Sequence, residues 1–454
     1  MNSDDFSSGS AAMSRPGASD EYHGTMFTKP TMEQFSLRKY LGEYQGRVKI
    51  RRALYLGERC PELSVESYQI ALDEIKSSTT DINLHSRVLK SLEQLDGTVA
   101  GDTQWTDSVR RANNATYDML TAELSKAKQH HVKKDALRAQ DGLAHHKARM
   151  GSMNEALRAL QDARDYCSSI DDQVQLALKS AWISQMMGKW LQVNSYVQRV
   201  VSTLSTLPTK MAAEVKVLQI QADFGEGRWS AVVNNTKELT YDSVMAAGVF
   251  ERGLITPQDI ALYGALAGLA VLQRDDLKHQ IIDNTEFGKF LDYVPECSRL
   301  LRCFYNSAYS EALSRLDDIL SLGMLDPVVA PHAVALRSLV VENIVVLYTQ
   351  PFVSTSLSAM AKALRFGSTS QLEAMLAKLI ERKLILGRID AVSGYLLKYT
   401  LDPRDQALET IERMYNSLSD QADVMVARIQ YLEQETVSLK ARNDGKKSNR
   451  DLYF

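Results

Sequence analysis

Cysteine and proline are scarce in this chain, with 4 and 10 copies among 454 residues. Cys60, Cys167, Cys297 and Cys303 are scattered and form no C-x-x-C pair, so they read as reduced thiols of a nuclear or cytosolic protein, not a disulfide framework. An excess of either charge is also missing. Lys plus Arg number 53 against 56 Asp plus Glu, a formal net charge of −3, whereas a dedicated polyanion binder carries a cationic excess or stripe. No apolar run reads as a membrane span, and the N-terminus has no stretch of signal-peptide type. Strand-like alternation is confined to one short hairpin. The remaining composition, 44% hydrophobic and 24% charged, is ordinary for a globular protein and supports a large, overwhelmingly helical core in two or three units.

Catalytic signatures are lacking as well. The histidines include the pairs His130-His131 and His145-His146, but no H-x-H, H-E-x-x-H or cysteine–histidine cluster. Neighbouring residues on a helix point in different directions and rarely share one metal, so these pairs read as surface histidines. Gly188-Lys189 and Gly225-Glu226-Gly227 lack the spacing of a phosphate-binding loop, and no G-x-S-x-G precedes a helix. Cys167 reads as a buried hairpin thiol, because nothing nearby would activate it. Asp275-Asp276 and Asp317-Asp318 read as solvated charge. No catalytic residue, metal ligand or cofactor site is assigned, and the chain does not read as an enzyme.

Taken in order, residues 1–30 are rich in Ser, Gly and Asp and read as a mobile tail. Residues 31–255 read as an N-terminal domain of helical repeats, with a more polar stretch at 77–106 that reads as a loop or linker with some helical content. Three short glycine turns, at Gly151, Gly188 and Gly227, each precede an amphipathic helix. They recur about every 37 to 39 residues, near the period of tetratricopeptide-type repeats. Such units bury their apolar faces only against neighbours, so the expectation is a curved α-α superhelix in which Trp190 and Trp229 wedge into the next hairpin. Thr256-Pro257-Gln258-Asp259 combines a hydroxyl cap, a first-turn proline and an acidic residue, a strong helix start. Helices from there to residue 350 feed into the next region without a linker.

Residues 351–400 have the order helix, tight turn, helix, hairpin, which is that of a winged helix. Ser354-Thr355-Ser356 is positioned to cap a helix with an apolar stripe at Leu357, Met360, Ala361 and Leu364. Ser370 and Glu373 suggest a capping box on a second helix, lined by Leu372, Met375, Leu376, Leu379 and Ile380. Strand candidates follow at Leu384 to Ile389 and Tyr395 to Tyr399. The second helix presents Lys378, Arg382 and Lys383 beside Glu373 and Glu381, a mixed face that argues against DNA readout. The hairpin instead offers an edge for another chain, with Leu384, Leu386, Ile389, Leu396 and Leu397 as protein-contact candidates. Charges at Leu396 and Leu397 are accordingly expected to break assembly more than folding.

Beyond Asp402-Pro403, Leu408, Ile411, Tyr415, Leu418, Ala422, Met425, Ile429, Leu432, Thr436 and Leu439 alternate by three and four residues, a heptad seam. A helix over about 401–442 carrying that seam is too long to bury against the wing and belongs in a multi-helix bundle. Residues 443–454 read as a polar, basic, disordered end.

Helical repeats running into a winged helix resemble the PCI-domain scaffold family, found in the proteasome lid, the COP-9 signalosome and a translation-initiation factor. Ala330-Pro331-His332 and Phe304-Tyr305-Asn306-Ser307-Ala308-Tyr309 are similar to segments shared by the first-subunit branch of the signalosome and its proteasome-lid counterpart. Three stretches favour the signalosome branch: Tyr40 to Ile75 with Arg59-Cys60-Pro61, Ala163-Arg164-Asp165-Tyr166-Cys167, and the small-residue helix Ala261 to Ala270, in which Ala265 and Ala267-Gly268 depart from the family's pattern. The resemblance covers about residues 35–440 and implies a PCI unit over 256–400. It also implies a non-catalytic scaffold of the complex that removes a ubiquitin-like modifier from cullins, with the metalloprotease in another subunit. Expected partners are other PCI-containing and metalloprotease-bearing subunits and, through the complex, cullin–RING ligases. Neither a membrane nor nucleic acid is expected as a partner, and the expected location is nucleus and cytoplasm. The alternatives are a proteasome regulatory-particle lid subunit and a winged-helix nucleic-acid binder.

Overall fold

The computed structural model describes residues 36–96, 103–203, 208–399 and 403–448. The expected tail at 1–30 lies outside them. The described residues fall into two compact units, one drawn from Met1–Tyr348 with Lys362–Phe366, the other from Thr349–Ala361 with Gly367–Phe454.

The first unit is all helical. It starts with α1 (Leu37–Gly42), α2 (Gly46–Arg59), α3 (Ser64–Ser78) and α4 (Ile82–Asp96). In these helices Leu41, Ala53, Leu56, Ala71, Ile75, Val88 and Leu92 form one core cluster. The helical content expected within 77–106 is α4, which takes up Ile82–Asp96. His85, Val88 and Leu92 supply a buried stripe at helical spacing inside an otherwise polar sequence, and that stripe closes α4 onto α3.

The repeats run through α5 (Thr103–Gln129), α6 (Lys133–Arg149), α7 (Met153–Ala163), α8 (Ile170–Met187), α9 (Trp190–Thr203), α10 (Thr209–Glu226) and α11 (Trp229–Lys237), each packed on the next or next but one. The turns at Gly151, Gly188 and Gly227 have φ of 94°, 72° and 76°, a left-handed backbone that glycine adopts without steric cost. Ser169 and Asp172 form a capping box at the start of α8. Trp190 reaches the next hairpin as expected, where its indole lies so close to Gly225 that a Cβ there would sit 2.4 Å from Nε1. Trp229 meets Phe224 edge-on at 5.2 Å and His332 at 5.4 Å.

The unit continues with α12 (Tyr241–Ala246), α13 (Pro257–Val271), α14 (Arg274–Leu277), α15 (Thr285–Leu291), α16 (Pro295–Tyr305), α17 (Tyr309–Gly323) and α18 (Ala333–Thr349). Thr256 and Asp259 cap α13 reciprocally, with Pro257 in its first turn. Contrary to the sequence reading, Ala330–Thr349 is long and apolar enough to cross a membrane by length and composition. Its setting is that of a core helix: Ala333, Leu336, Val340, Ile344 and Val345 are buried. Asn343 donates from Nδ2 to the carbonyls of Leu269 and Leu272 at 3.1 and 3.2 Å, satisfying the end of α13.

A buried polar knot ties the N-terminal helices to the far end of this unit. Arg52 is fully enclosed, with Nη1 2.9 Å from Asp326 and Nη2 3.5 Å from Asp259. Its guanidinium lies 4.0 Å from the centre of the Tyr44 ring and donates to the Tyr40 hydroxyl. The Tyr44 hydroxyl donates to Asp259 at 2.8 Å. Burial opposes the charge on Arg52, yet Asp326, Tyr40, Tyr44 and Asp259 together hold its pKa well above the ordinary value. Burial pushes the Asp259 carboxyl upward, against the pull of Arg52.

The second unit contains β1 (Ser354–Ser356), most of α19 (Leu357–Ala363), α20 (Thr369–Glu381), β2 (Gly387–Asp390), β3 (Tyr395–Lys398) and α21 (Pro403–Ser448). The strands form an antiparallel sheet in the order β1-β3-β2. Helix, turn, helix and hairpin thus build a winged helix, with three departures from the sequence reading. Ser354–Ser356 is a strand paired with β3 (Thr355 opposite Leu396), not merely a cap. Ser368, not Ser370, caps α20 by accepting from the Gln371 amide. And α21 runs to Ser448, six residues beyond the expected end at 442.

Candidate protein-interaction surfaces

The winged helix is held by an apolar interior. Leu357, Met360, Ala361 and Leu364 are all buried as their spacing predicts, and so are Leu372, Leu376 and Leu379 of α20. Met375 and Ile380 are half-buried at the margin of that face. Because β3 lies between β1 and β2, the open edges of the sheet belong to β1 and β2. No further strand pairs with either among the described residues. Gly387 opens β2 where the backbone of β3 presses close: a Cβ there would sit 2.7 Å from the Leu397 carbonyl oxygen.

This arrangement separates the five wing candidates. Leu384 and Leu386 precede β2 and stand 55% and 38% exposed, available for contact. Ile389 on β2 and Leu397 on β3 are half-buried. Leu396 is a correction: at 2% exposure on the central strand it is a core residue of the wing, and a charge there would act on folding first. The structure adds apolar residues that the sequence reading missed. Val392 at the hairpin tip is fully exposed, and Phe352 and Val353 just before β1 and Tyr399 just after β3 are exposed in part. A lone valine inside Asp390-Ala391-Val392-Ser393-Gly394 was the available signal, since a tight turn gives such a side chain no core to enter.

Lys378 and Glu381 on α20 and Arg382 and Lys383 just past its end are exposed and Glu373 is half-buried, so the solvent face is mixed in sign, as its sequence indicates.

The seam of α21 is uncovered. Leu408, Ile411, Tyr415, Leu418, Met425, Ile429 and Leu432 are each between 55% and 69% exposed. Leu439 is helical in backbone, but its side chain lies outside the described residues. Met414, Val424, Val426 and Tyr431 are exposed too and lie off the seam, which widens the apolar surface beyond one stripe. At 46 residues the helix is roughly 70 Å long at about 1.5 Å per residue. A helix apolar over so much of its girth is suited to being surrounded by other helices.

Residues considered for chemistry do not converge. The His146 ring meets the Asn113 carbonyl at 3.1 Å in the interior, while His145 faces solvent. Burial pushes the Cys167 and Cys297 thiols up, Cys297 to about 12, so neither is activated. Among the described residues no group of His, Cys, Asp and Glu could hold a metal ion.

Comparison with known proteins matches two stretches of the chain. Residues 102–280 match the family model of 26S proteasome subunit RPN7, and residues 320–397 match that of the PCI domain. The chain is 27% identical over 413 residues to COP9 signalosome complex subunit 1 of Arabidopsis thaliana, covering 90% of this chain and 92% of that protein. It is 25% identical to subunit 1b of Drosophila melanogaster, over 82% of this chain and 80% of that one. The subunit 1 of Schizosaccharomyces pombe is 26% identical, over 80% and 83% respectively. Over most of its length the chain is a homologue of COP9 signalosome complex subunit 1, with an RPN7-type region followed by a PCI domain.

Proposed function

We propose that this chain is a non-catalytic scaffold subunit of a COP9 signalosome. In this reading the open edges of its winged helix join winged helices of other PCI subunits, and α21 enters a bundle with their C-terminal helices. The contacts run through Leu384, Leu386 and Ile389 on the wing and through Leu408, Ile411, Tyr415, Leu418, Met425, Ile429, Leu432 and Leu439 on the helix. A PCI unit over 256–400 then presents the wing surface, the helix over about 401–442 presents the bundle surface, and the repeats over 31–255 face outward toward cullin–RING ligases. The deneddylating metalloprotease resides in another subunit, and the complex works in nucleus and cytoplasm.

The observation that carries this reading is the uncovered heptad seam of α21. Fully burying one large apolar side chain is worth about 1.5–3 kcal/mol, so seven of them left in water are a strong drive toward association. Names of the relatives supply the complex in which that association would occur. Deleting residues 405–454 is expected to leave the helix signal and melting of the first unit unchanged while abolishing co-purification with other signalosome subunits. Undiminished co-purification of the truncated chain would overturn the proposal.

A second reading, a subunit of the proteasome lid, is favoured by one observation, the match of residues 102–280 to the RPN7 model. A tagged chain separates the two by the complex it brings down.

A further inference from the structure

A cavity lies within the first unit, where α2 and α3 face the repeat helices α6 and α8. It is open to solvent and measures about 800 Å³, within the usual size range of ligand pockets. Its floor is apolar, built from Ala144, Ala148, Met153, Leu160, Ile183 and Met186. Its rim is cationic on balance: Arg47, Arg149, Lys179 and Arg252 line it against two carboxylates, Glu74 and Asp141.

The rim is set in place before any ligand arrives. Arg47 bonds Asp81 at 2.9 Å and the carbonyls of Ala148 and Arg149. Lys179 pairs with Asp141 at 2.7 Å. Trp182 donates its indole N–H to Glu214, which also holds Arg252 at 2.7 Å, with Arg252 stacked 5.1 Å over the indole. Arg149 differs from the others. Its side chain is exposed at the rim and makes no ion pair with any described residue, and the exposed His145 stands one helical turn before it.

We propose that this cavity is a docking site for a short acidic segment of a partner protein, with a large apolar or aromatic residue as its anchor. The anchor enters the floor, and a neighbouring carboxylate pairs with Arg149 and then with the cations beside it. Arg47, Lys179 and Arg252 already face carboxylates of the chain, so the selection for acid rests on Arg149, a guanidinium with no ion pair to a described residue that can serve as the bidentate partner. Repeat stacks present concave surfaces of this kind to extended chains. Because Arg47, Trp182 and Arg252 are already fixed, little ordering is needed on binding.

The test uses the full chain and a fluorescein-labelled peptide, Asp-Glu-Asp-Trp-Leu-Glu, followed by fluorescence anisotropy, beside the same peptide with Asn and Gln in place of Asp and Glu. We expect saturable micromolar binding of the acidic peptide that falls with added salt. Arg149→Glu should weaken it at least tenfold with the melting curve unchanged, and Met186→Glu should weaken it through the floor. Equal binding of the amide peptide, or no loss in Arg149→Glu, overturns the proposal. Binding seen only after residues 1–35 are removed also overturns it, since the occupant would then be the chain's own N-terminal segment, where Asp4-Asp5-Phe6 and Asp20-Glu21-Tyr22 carry matching chemistry.

Discussion

Replacing Arg52 by methionine tests how the N-terminal helices are joined to the rest of the first unit. Methionine keeps most of the length and the apolar packing but removes the charge. It strands Asp326, 2.9 Å from the lost Nη1, and Asp259, 3.5 Å from the lost Nη2, inside the protein. A pair of unit charges about 4 Å apart is worth roughly 4 kcal/mol at an effective dielectric constant near 20. Removing one member of a buried pair typically costs about 3–5 kcal/mol, because the remaining charge is left unpaired. The contact with the Tyr44 face is lost as well. A destabilisation of about 4 kcal/mol is expected, and at about 2–4 °C per kcal/mol the thermal midpoint of this unit falls by on the order of 10 °C.

The sign of the pH dependence separates a stranded charge from a packing defect. Asp259 already has a carboxyl pKa pushed above the ordinary range by burial, with Arg52 acting to lower it. Without Arg52 that pKa rises further in the folded state and stays ordinary in the unfolded one. The folded variant then binds more protons than the unfolded chain between those two values, so its stability grows as pH falls through that window. The deficit of Arg52→Met should be largest near pH 8 and shrink toward pH 5. The triple variant Arg52→Met, Asp259→Asn, Asp326→Asn should regain most of the loss, since the asparagine oxygens can still accept from the Thr256 and Val328 amides. Circular dichroism melts across that pH range provide the measurement. A loss below about 1 kcal/mol near neutral pH, a deficit that grows with acid, or no recovery in the triple variant would refute the reasoning.

Two further outcomes are expected. Gly225→Ala should destabilise the repeats by about 1–2 kcal/mol in thermal melts, because the new Cβ drives into the Trp190 indole (overpacking costs about 1–3 kcal/mol) and the gain in helix propensity returns at most about 1 kcal/mol; unchanged or raised stability would show that the indole moves freely. Leu396→Glu should unfold the wing, seen as lost amide dispersion in NMR spectra of the folded chain, whereas Val392→Glu should shift stability by no more than about 0.5 kcal/mol; a folded Leu396→Glu wing would contradict its place in the core.

The sequence was readable where one periodicity governed a whole element. The stripe Leu357, Met360, Ala361, Leu364 and the face Leu372, Leu376, Leu379 are buried as spaced, and the glycine turns fall where their φ demands glycine. It was less readable where partners come from distant parts of the chain. The strand at Ser354–Ser356 has no alternation of its own and exists because β3, some forty residues later, pairs with it. Leu396 and Leu397 look alike in sequence, and only the sheet order puts one of them inside. The knot around Arg52 joins residues about 200 and 270 positions apart, and nothing local to Tyr40 or Arg52 announces it. The cavity has the same origin, since its walls come from five separate helices and the turn at Arg252–Leu254.

The two units resolve the same physical problem in opposite ways. In the first, a buried guanidinium finds its complements within the chain, enclosed by two carboxylates and two phenols. In the second, α21 leaves its seam in water, although most of the stability of a helix in a protein comes from packing its apolar face. A covered seam and a covered Arg52 therefore differ in what stabilises them: the one depends on concentration and partner identity, the other does not. On the proposed bundle, the stability of α21 is a binding equilibrium: the helix should gain protection from amide exchange only as neighbouring chains close around Leu408 to Leu432, while the amides around Arg52 should be protected in the free chain as well.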